Sequence, residues 1–485
     1  MSLAEVKSQQ QALIKQIHEY CPQLGKFFDL DMTLEQYSLS INNFENKDIF
    51  ISRQEQLKKL MSEKITRVFG DEAIETKKVK YQQQMAINIV DHHQVLNHPI
   101  LISDNIISDT RKYLQSEKQD AIVVFSSGDV PPNNYFSKNG FMLNGKKVPL
   151  FSNSEKEYCT YYIPKRDFNF IEKLKQQKRI REFNKDEVYF LEKLFSMIES
   201  LDFSRCLDYK DQITKIVNST WPMMFEQNIR KNLPEVIYIT QEEITSQALL
   251  ELVENDNFIS QAIFDQDFRN YILDAFRGIV VTWNEKENKG THFFWCKHPQ
   301  EPRGLRMYLH GDNLIPANDK YKDLAFKLNK ENVKKLLNKG QIYPSLFLIF
   351  AVLNFYYGVK PLVGHGSIEY LNRIKSVWLD TLIKSDFSGE GDNIATVNID
   401  KKLTGISLFV RHTTHGHKQM YAHDVMYAGG IKADELEKLF LMQYNRLLSA
   451  SVNGIYDYVS QKYIPESEKI KPDYGFSDYY RLIFN

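Results

Sequence analysis

The stretch Met85-Ala86-Ile87-Asn88-Ile89-Val90, running into Asp91-His92-His93-Gln94-Val95-Leu96-Asn97-His98-Pro99, decides how the rest of the chain is read. Its first part is an apolar alternation, the pattern of a strand. Pro99 stands where a first helical residue fits, with Asn97 or His98 before it as the cap. Ile102, Ile106, Ile107 and Leu114 then mark a helix to about Glu117. Ala121-Ile122-Val123-Val124-Phe125 is a short apolar strand, followed by the loop 126–134. Strand, helix and strand at this spacing form a βαβ unit, whose strands are parallel. Right-handed crossovers place the loops after such strands on one edge of the sheet. The loop after Val90 and the loop after Phe125 are therefore expected to meet at the edge where open α/β sheets bind ligands.

Working outward, residues 1–78 read as a helical segment, with Ser52 and Glu55 as a capping box for its second helix. Residues 79–235 form the α/β region, and residues 236–485 an α+β region. In the latter, Gln241 to Phe276 reads as two helices. Gly278 to Trp283 and Thr291 to Cys296 read as a hairpin around Asn284 to Gly290. Helices are expected at Ser345 to Tyr357, Ser367 to Ile383 and Ala433 to Leu448, and a strand at Ile406 to Val410. The polar, Gly-rich Ser385 to Asp392 reads as a mobile loop. The fold class is α/β: a mainly parallel sheet flanked by helices, with a second α+β half.

Composition narrows the function. Lys+Arg and Asp+Glu both number 62, so no net charge draws the chain to nucleic acid or to an acidic membrane. The basic run from Lys173 to Arg181 reads as a solvated helix face. The longest apolar run, Leu346 to Tyr357, is broken by Asn354 and is too short to span a bilayer. The four cysteines, Cys21, Cys159, Cys206 and Cys296, are scattered, with no CxxC pair, which fits a reducing compartment. The N-terminus lacks an apolar signal-peptide core. Expected are a cytoplasmic location, a small-molecule substrate, and neither nucleic acid nor membrane as partner; the oligomeric state is open.

The chemistry concentrates in two loops. Asp91, His92, His93 and His98 offer one carboxylate and three imidazoles, the ligand types of a Zn, Fe or Mn site with a position left for water. The competing reading has His98 or His93 capping the helix and His92 packed inside. Asp91-His92-His93 resembles the signature of the DHH phosphoesterase superfamily, which also follows a strand. That family holds two metal ions with further Asp-x-Asp motifs upstream. Here only Asp29-Leu30-Asp31 precedes, between apparent helices, so the metal expectation rests on the four side chains alone.

In the second loop, Ser126, Ser127, Gly128 and Asp129, with Asn133 and Asn134, can present backbone N–H groups to an anion or oxyanion. The same residues also make ordinary turns. The frames of a nucleophile elbow, a P-loop and a dinucleotide fold are absent, so no nucleotide cofactor is expected.

Further on, Arg411-His412-Thr413-Thr414-His415-Gly416-His417 follows a strand pattern. Phe409-Val410-Arg411-His412 resembles the strand-Arg-His start of histidine phosphatases, and Val363-Gly364-His365-Gly366 resembles their second histidine motif. Such a resemblance implies a histidine nucleophile with arginine on the phosphoryl oxygens. Thr413 replaces that family's glycine, and the motifs run in reversed order. Thr291, His292, His298, Arg303, Arg306 and His310 gather near the expected hairpin, where arginine could grip an anion or lie in solvent.

These readings converge on an enzyme performing metal- or histidine-assisted hydrolysis or group transfer on a small polar, anionic substrate. His92, His93, Asp129 and His412 would be catalytic. Ser126, Ser127, Asn133, Asn134, Arg411 and His415 would bind substrate. The alternatives are phosphoryl transfer of the histidine-phosphatase kind and a non-enzymatic binding or effector protein.

Overall fold

Four short parallel strands organise the computed structural model: β1 (Ala86–Asn88), β2 (Ile122–Ser126), β3 (Val236–Thr240) and β4 (Lys360–Leu362). The structure describes residues 2–42, 47–71, 86–89, 91–113, 121–132, 138–176, 179–383, 385–399, 403–414 and 416–484. The ends of the expected first strand, Met85 and Val90, lie outside them, as do Asn133, Asn134 and His415. The sheet order is β4-β1-β2-β3. Asn88 sits opposite Val124, and Ile122 to Ser126 run in step with Val236 to Thr240. Every residue of β2 and β3 is buried, as expected of parallel strands covered on both faces. The helix between β1 and β2 spans Pro99–Ile107, ending short of the expected Leu114 and Glu117, which lie outside the described residues; the βαβ unit itself forms where the sequence places it. The sheet also takes two strands from beyond residue 235, so it draws on both regions divided there.

Small antiparallel sheets make up the second portion. Phe294–Lys297 pairs with Ile342–Pro344 and with Gly304–Leu305. Met307–His310 pairs with Asn313–Pro316. Val410–Thr413 forms a hairpin with Gly416–Gln419. Among the described residues, no helix is long and apolar enough to cross a membrane.

Three helices cover the β3 side and are clamped by charge. Lys64 and Arg67 on Asp48–Phe69 bond Asp211 on Tyr209–Thr220 and Glu243 on Gln241–Leu252. Both contacts to Glu243 are 2.6 Å.

Local hydrogen bonding corrects several expectations. Gly278 to Trp283 is a knot of turns, not a strand. The Thr282 hydroxyl lies 2.6 and 2.8 Å from the carbonyls of Phe276 and Ile279, and Val281 adopts φ 70°. A β-branched residue there is a true outlier. Ser52 lies inside a helix that begins at Asp48. The Gly-rich segment expected to be mobile contains the helix Ser388–Thr396, tied down by an Arg53–Glu390 ion pair. Residues 404–409 are not a strand; the strand begins at Val410. Ala433 to Leu448 breaks into Ala433–Phe440 and Tyr444–Ala450.

Candidate functional site

The two loops do meet. His92 forms a parallel bridge with Ser127; the His93 N–H donates to the Ser127 carbonyl at 2.9 Å, and the Ser127 N–H donates to the Asp91 backbone carbonyl at 2.7 Å. β1 and β2 thus continue pairing past their ends and hold both loops at the carboxyl edge.

The histidines there turn inward. The His93 Nε2 lies 2.8 Å from the Lys210 carbonyl, which can only accept, so this nitrogen carries the hydrogen. Its Nδ1 then accepts from the Ser126 hydroxyl at 2.7 Å. Burial pushes the ring down to about 4, so it is neutral. His98 caps the helix: its Nδ1 accepts the Ile100 N–H at 3.3 Å. His92 is half-buried, and burial holds it to about 4. Asp91 gives one oxygen to the Tyr238 hydroxyl.

Both nitrogens of His93 and the Nδ1 of His98 therefore already have partners within the protein. Among the described residues, no group of three or more His, Cys, Asp or Glu side chains is arranged to hold a metal ion. Of the four side chains expected to share one ion, Asp91, His93 and His98 bond strand, neighbouring helix and helix cap. Truncating His93 to alanine should cost roughly 2–4 kcal/mol, because it opens a cavity and leaves the Ser126 hydroxyl only a long contact of 3.4 Å to the Ile239 carbonyl. Urea unfolding at neutral pH checks this, and a cost near zero would contradict the linking role.

The second loop already holds a carboxyl group, and that group is the protein's own. Gly128 N–H donates to both Glu242 carboxyl oxygens at 3.0 and 2.9 Å, and Asp129 N–H donates to Oε1 at 3.1 Å. The N–H groups expected to face a substrate oxyanion thus cradle Glu242, in the first turn of Gln241–Leu252. Glycine is needed for this approach: a Cβ at Gly128 would sit 2.9 Å from the Thr240 methyl and 3.0 Å from Glu242 Oε2. Ser127 Oγ donates to Asp129 Oδ1 at 3.2 Å and accepts from Gln241 Nε2 at 3.0 Å.

Two carboxyl groups are thereby held close together. Glu242 has no exposed surface; burial first, and the charge of Asp129 second, push it up to about 8. Burial also raises Asp129. Close carboxylates resist ionising together, so one proton stays on the pair at neutral pH. Asp129 lines a cleft of about 410 Å³ with Trp283, Thr291, Trp295, Ser345 and the turn 278–284 that contains the strained Val281. Backbone strain of this kind concentrates at functional sites. A larger cleft, about 620 Å³, lies between residues 155–173 and 297–302. Its acidic and basic side chains are balanced, and the Arg166–Glu155 pair is made at 2.9 Å.

Glu242 and the strand preceding it escape the sequence reading. The signal is present in Val236-Ile237-Tyr238-Ile239-Thr240, a β-rich run that ends directly on Gln241-Glu242-Glu243. Of the remaining candidates, Thr291 lines the cleft beside Asp129, and the others are engaged elsewhere. Arg411 donates to the Asn144 side chain at 2.8 Å, and His412 is exposed with its ring 5.1 Å from that of His417. His365 packs on Tyr458. Near the expected hairpin, His292 bonds Glu285 and the Leu309 N–H, and His298 bonds Tyr321 and the Gln300 and Glu301 N–H groups. These are structural links. The chain matches no protein-family model and no curated protein.

Proposed function

We propose that the chain is a hydrolase or group-transfer enzyme acting on a small polar molecule in the cleft beside Asp129, with Asp129 and Glu242 exchanging the proton. One observation carries this reading: of a carboxyl pair held by the loop after a parallel strand, Asp129 borders a cleft at the ligand-binding edge of the sheet while Glu242 is buried behind it. Of two coupled carboxyl groups, one can donate a proton while the other accepts. Glu242, cradled by N–H groups, is the inner proton store, and Asp129 is the group that reaches substrate.

The charges in the lining are Asp129, Glu287 and Lys289. They favour an uncharged or cationic substrate over the anionic one expected from sequence. A metal is not required by this arrangement. The four cysteines are buried and unpaired, which supports a reducing, cytoplasmic setting.

The test is a panel of nitrophenyl esters, glycosides and phosphates, run beside a carbon-13 titration of the carboxyl groups. An uncharged probe should be cleaved, and Asp129→Asn should lower the rate at least about a hundredfold, the usual weight of a general acid–base. The titration should show a carboxyl signal ionising near 8 in the native chain that is missing from Glu242→Gln, the other raised carboxyl groups being common to both. Rates unchanged in Asp129→Asn, or both carboxyl groups ionising near 4, would overturn the reading.

A further inference from the structure

The order β4-β1-β2-β3 reverses at β1, so the chain diverges where β1 and β4 end. Asp91 stands at that point, well supported on one side. Asn88 Nδ2 donates to Asn105 Oδ1, Asn105 Nδ2 donates to the Tyr238 hydroxyl, and Tyr238 donates to Asp91 Oδ2. The other oxygen, Asp91 Oδ1, is buried and has no hydrogen-bond partner.

Asp104, on the helix Pro99–Ile107, is more exceptional. Its neighbours are satisfied: Ser103 Oγ donates to the Pro99 carbonyl and accepts the Leu408 N–H at 3.0 Å. Asp104 has no exposed surface, and neither of its carboxylate oxygens has a partner. The charge of Asp91 adds to burial in raising Asp104, and among the described residues no cation offsets either carboxyl group.

A third segment completes the surroundings. Residues 403–408 run from a bridge between Leu403 and Val363, just past β4, to the bond between Leu408 and Ser103. Tyr37 and Tyr444, stacked at 3.7 Å, both donate to the Leu403 carbonyl. The Leu408–Ser103 bond and the Asn105–Tyr238–Asp91 chain fall on the residues either side of Asp104, so this helix turn lies against both the segment and the Asp91 loop. Thr404 and Ser407 are buried on the segment at 0% and 2% exposure, and neither hydroxyl has a partner.

We infer that Asp91, Asp104, Thr404 and Ser407 form an internal site for a hard divalent cation. The argument is one of satisfaction. An unpaired buried carboxylate is strongly unfavourable. Protonation would remove the charge of Asp104, yet the new O–H would have nothing to donate to. A cation answers both carboxylates and the hydroxyl oxygens together. The donor set is oxygen only, which selects calcium or magnesium over zinc. Calcium tolerates the irregular arrangement of three separate segments better than magnesium does. The site is separate from the Asp129–Glu242 cleft and does not depend on the function proposed there. It replaces the histidine site expected from sequence while keeping Asp91.

The experiment uses the full chain after chelation, titrated with calcium, magnesium or zinc alone. Calcium should raise the melting temperature by mass action. Terbium at the same site should luminesce on tyrosine excitation, since Tyr238 bonds Asp91 directly. Asp104→Asn should abolish both responses. Should that variant fail to fold, Thr404→Val and Ser407→Ala should each weaken calcium at least tenfold. No shift with calcium or magnesium, or an equal shift in Asp104→Asn, overturns the inference. So does zinc binding tighter than calcium and lost in His93→Ala, which would restore a histidine site.

Discussion

Replacing Asp211 with alanine should destabilise the chain by about 3–5 kcal/mol, the cost of breaking a buried ion network from one side. Asp211 has no exposed surface. Its carboxylate accepts Lys64, Arg67 and the Leu207 N–H at 2.9 Å. Burial alone would raise its pKa; Lys64 and Arg67 outweigh that and hold it well below the usual carboxylate range. A depressed carboxylate stabilises above its unfolded pKa and loses that contribution as pH falls through the folded value. The deficit of Asp211→Ala should therefore be full at neutral pH and shrink in strong acid. Without Asp211, the buried Lys64 keeps only Glu243. Urea unfolding at pH near 7 measures the loss, and less than about 1 kcal/mol would show that solvent screens the network as it does at a surface. The consequence reaches the candidate site. The same helix supplies the Lys210 carbonyl that holds His93, and Glu243 is the neighbour of Glu242. The clamp fixes the first turn from which Glu242 reaches the Gly128 N–H.

What could be read from sequence follows from how local each signal is. The β1–helix–β2 unit was legible because apolar run, Pro99 and second apolar run lie within one crossover. The meeting of the two loops followed from handedness alone. Their internal chemistry did not follow. Whether His93 faces substrate or the Lys210 carbonyl depends on a helix more than a hundred residues away in sequence. Glu242 was hidden for the same reason: nothing local says that its carboxylate fills the N–H cradle of Gly128 and Asp129. Gly278 to Trp283 misled because apolar β-branched residues imitate a strand, while Thr282 bonding back to Phe276 and Ile279 closes turns instead. The histidine-rich run at 411–417 misled by composition. Its His412 and His417 pair across a hairpin, and His417 packs on Tyr480.

Glu242→Gln should change how stability depends on pH, and the sign is fixed by the direction of the shift. The ordinary glutamate value is 4.5; in the fold, burial and then Asp129 raise Glu242 to about 8. Between these values the folded chain holds a proton that the unfolded chain has released. Stability must then fall as pH rises, by up to about 1.4 kcal/mol per pH unit for one proton. Glutamine cannot ionise, and its carbonyl oxygen can still accept the Gly128 and Asp129 N–H groups. The variant should thus lack this decline. Other raised carboxyl groups, such as Asp91, slope the same way. Those distant from Glu242 are common to both proteins and cancel when the two are compared, whereas Asp129, relieved of its neighbour's charge, ionises more readily in the variant. The stability of the wild type relative to Glu242→Gln should therefore drop steadily from about pH 5 to about pH 8. Chemical unfolding across that range measures it, and a difference that stays flat would mean that Glu242 is ionised in the fold and that no proton is stored beside the cleft.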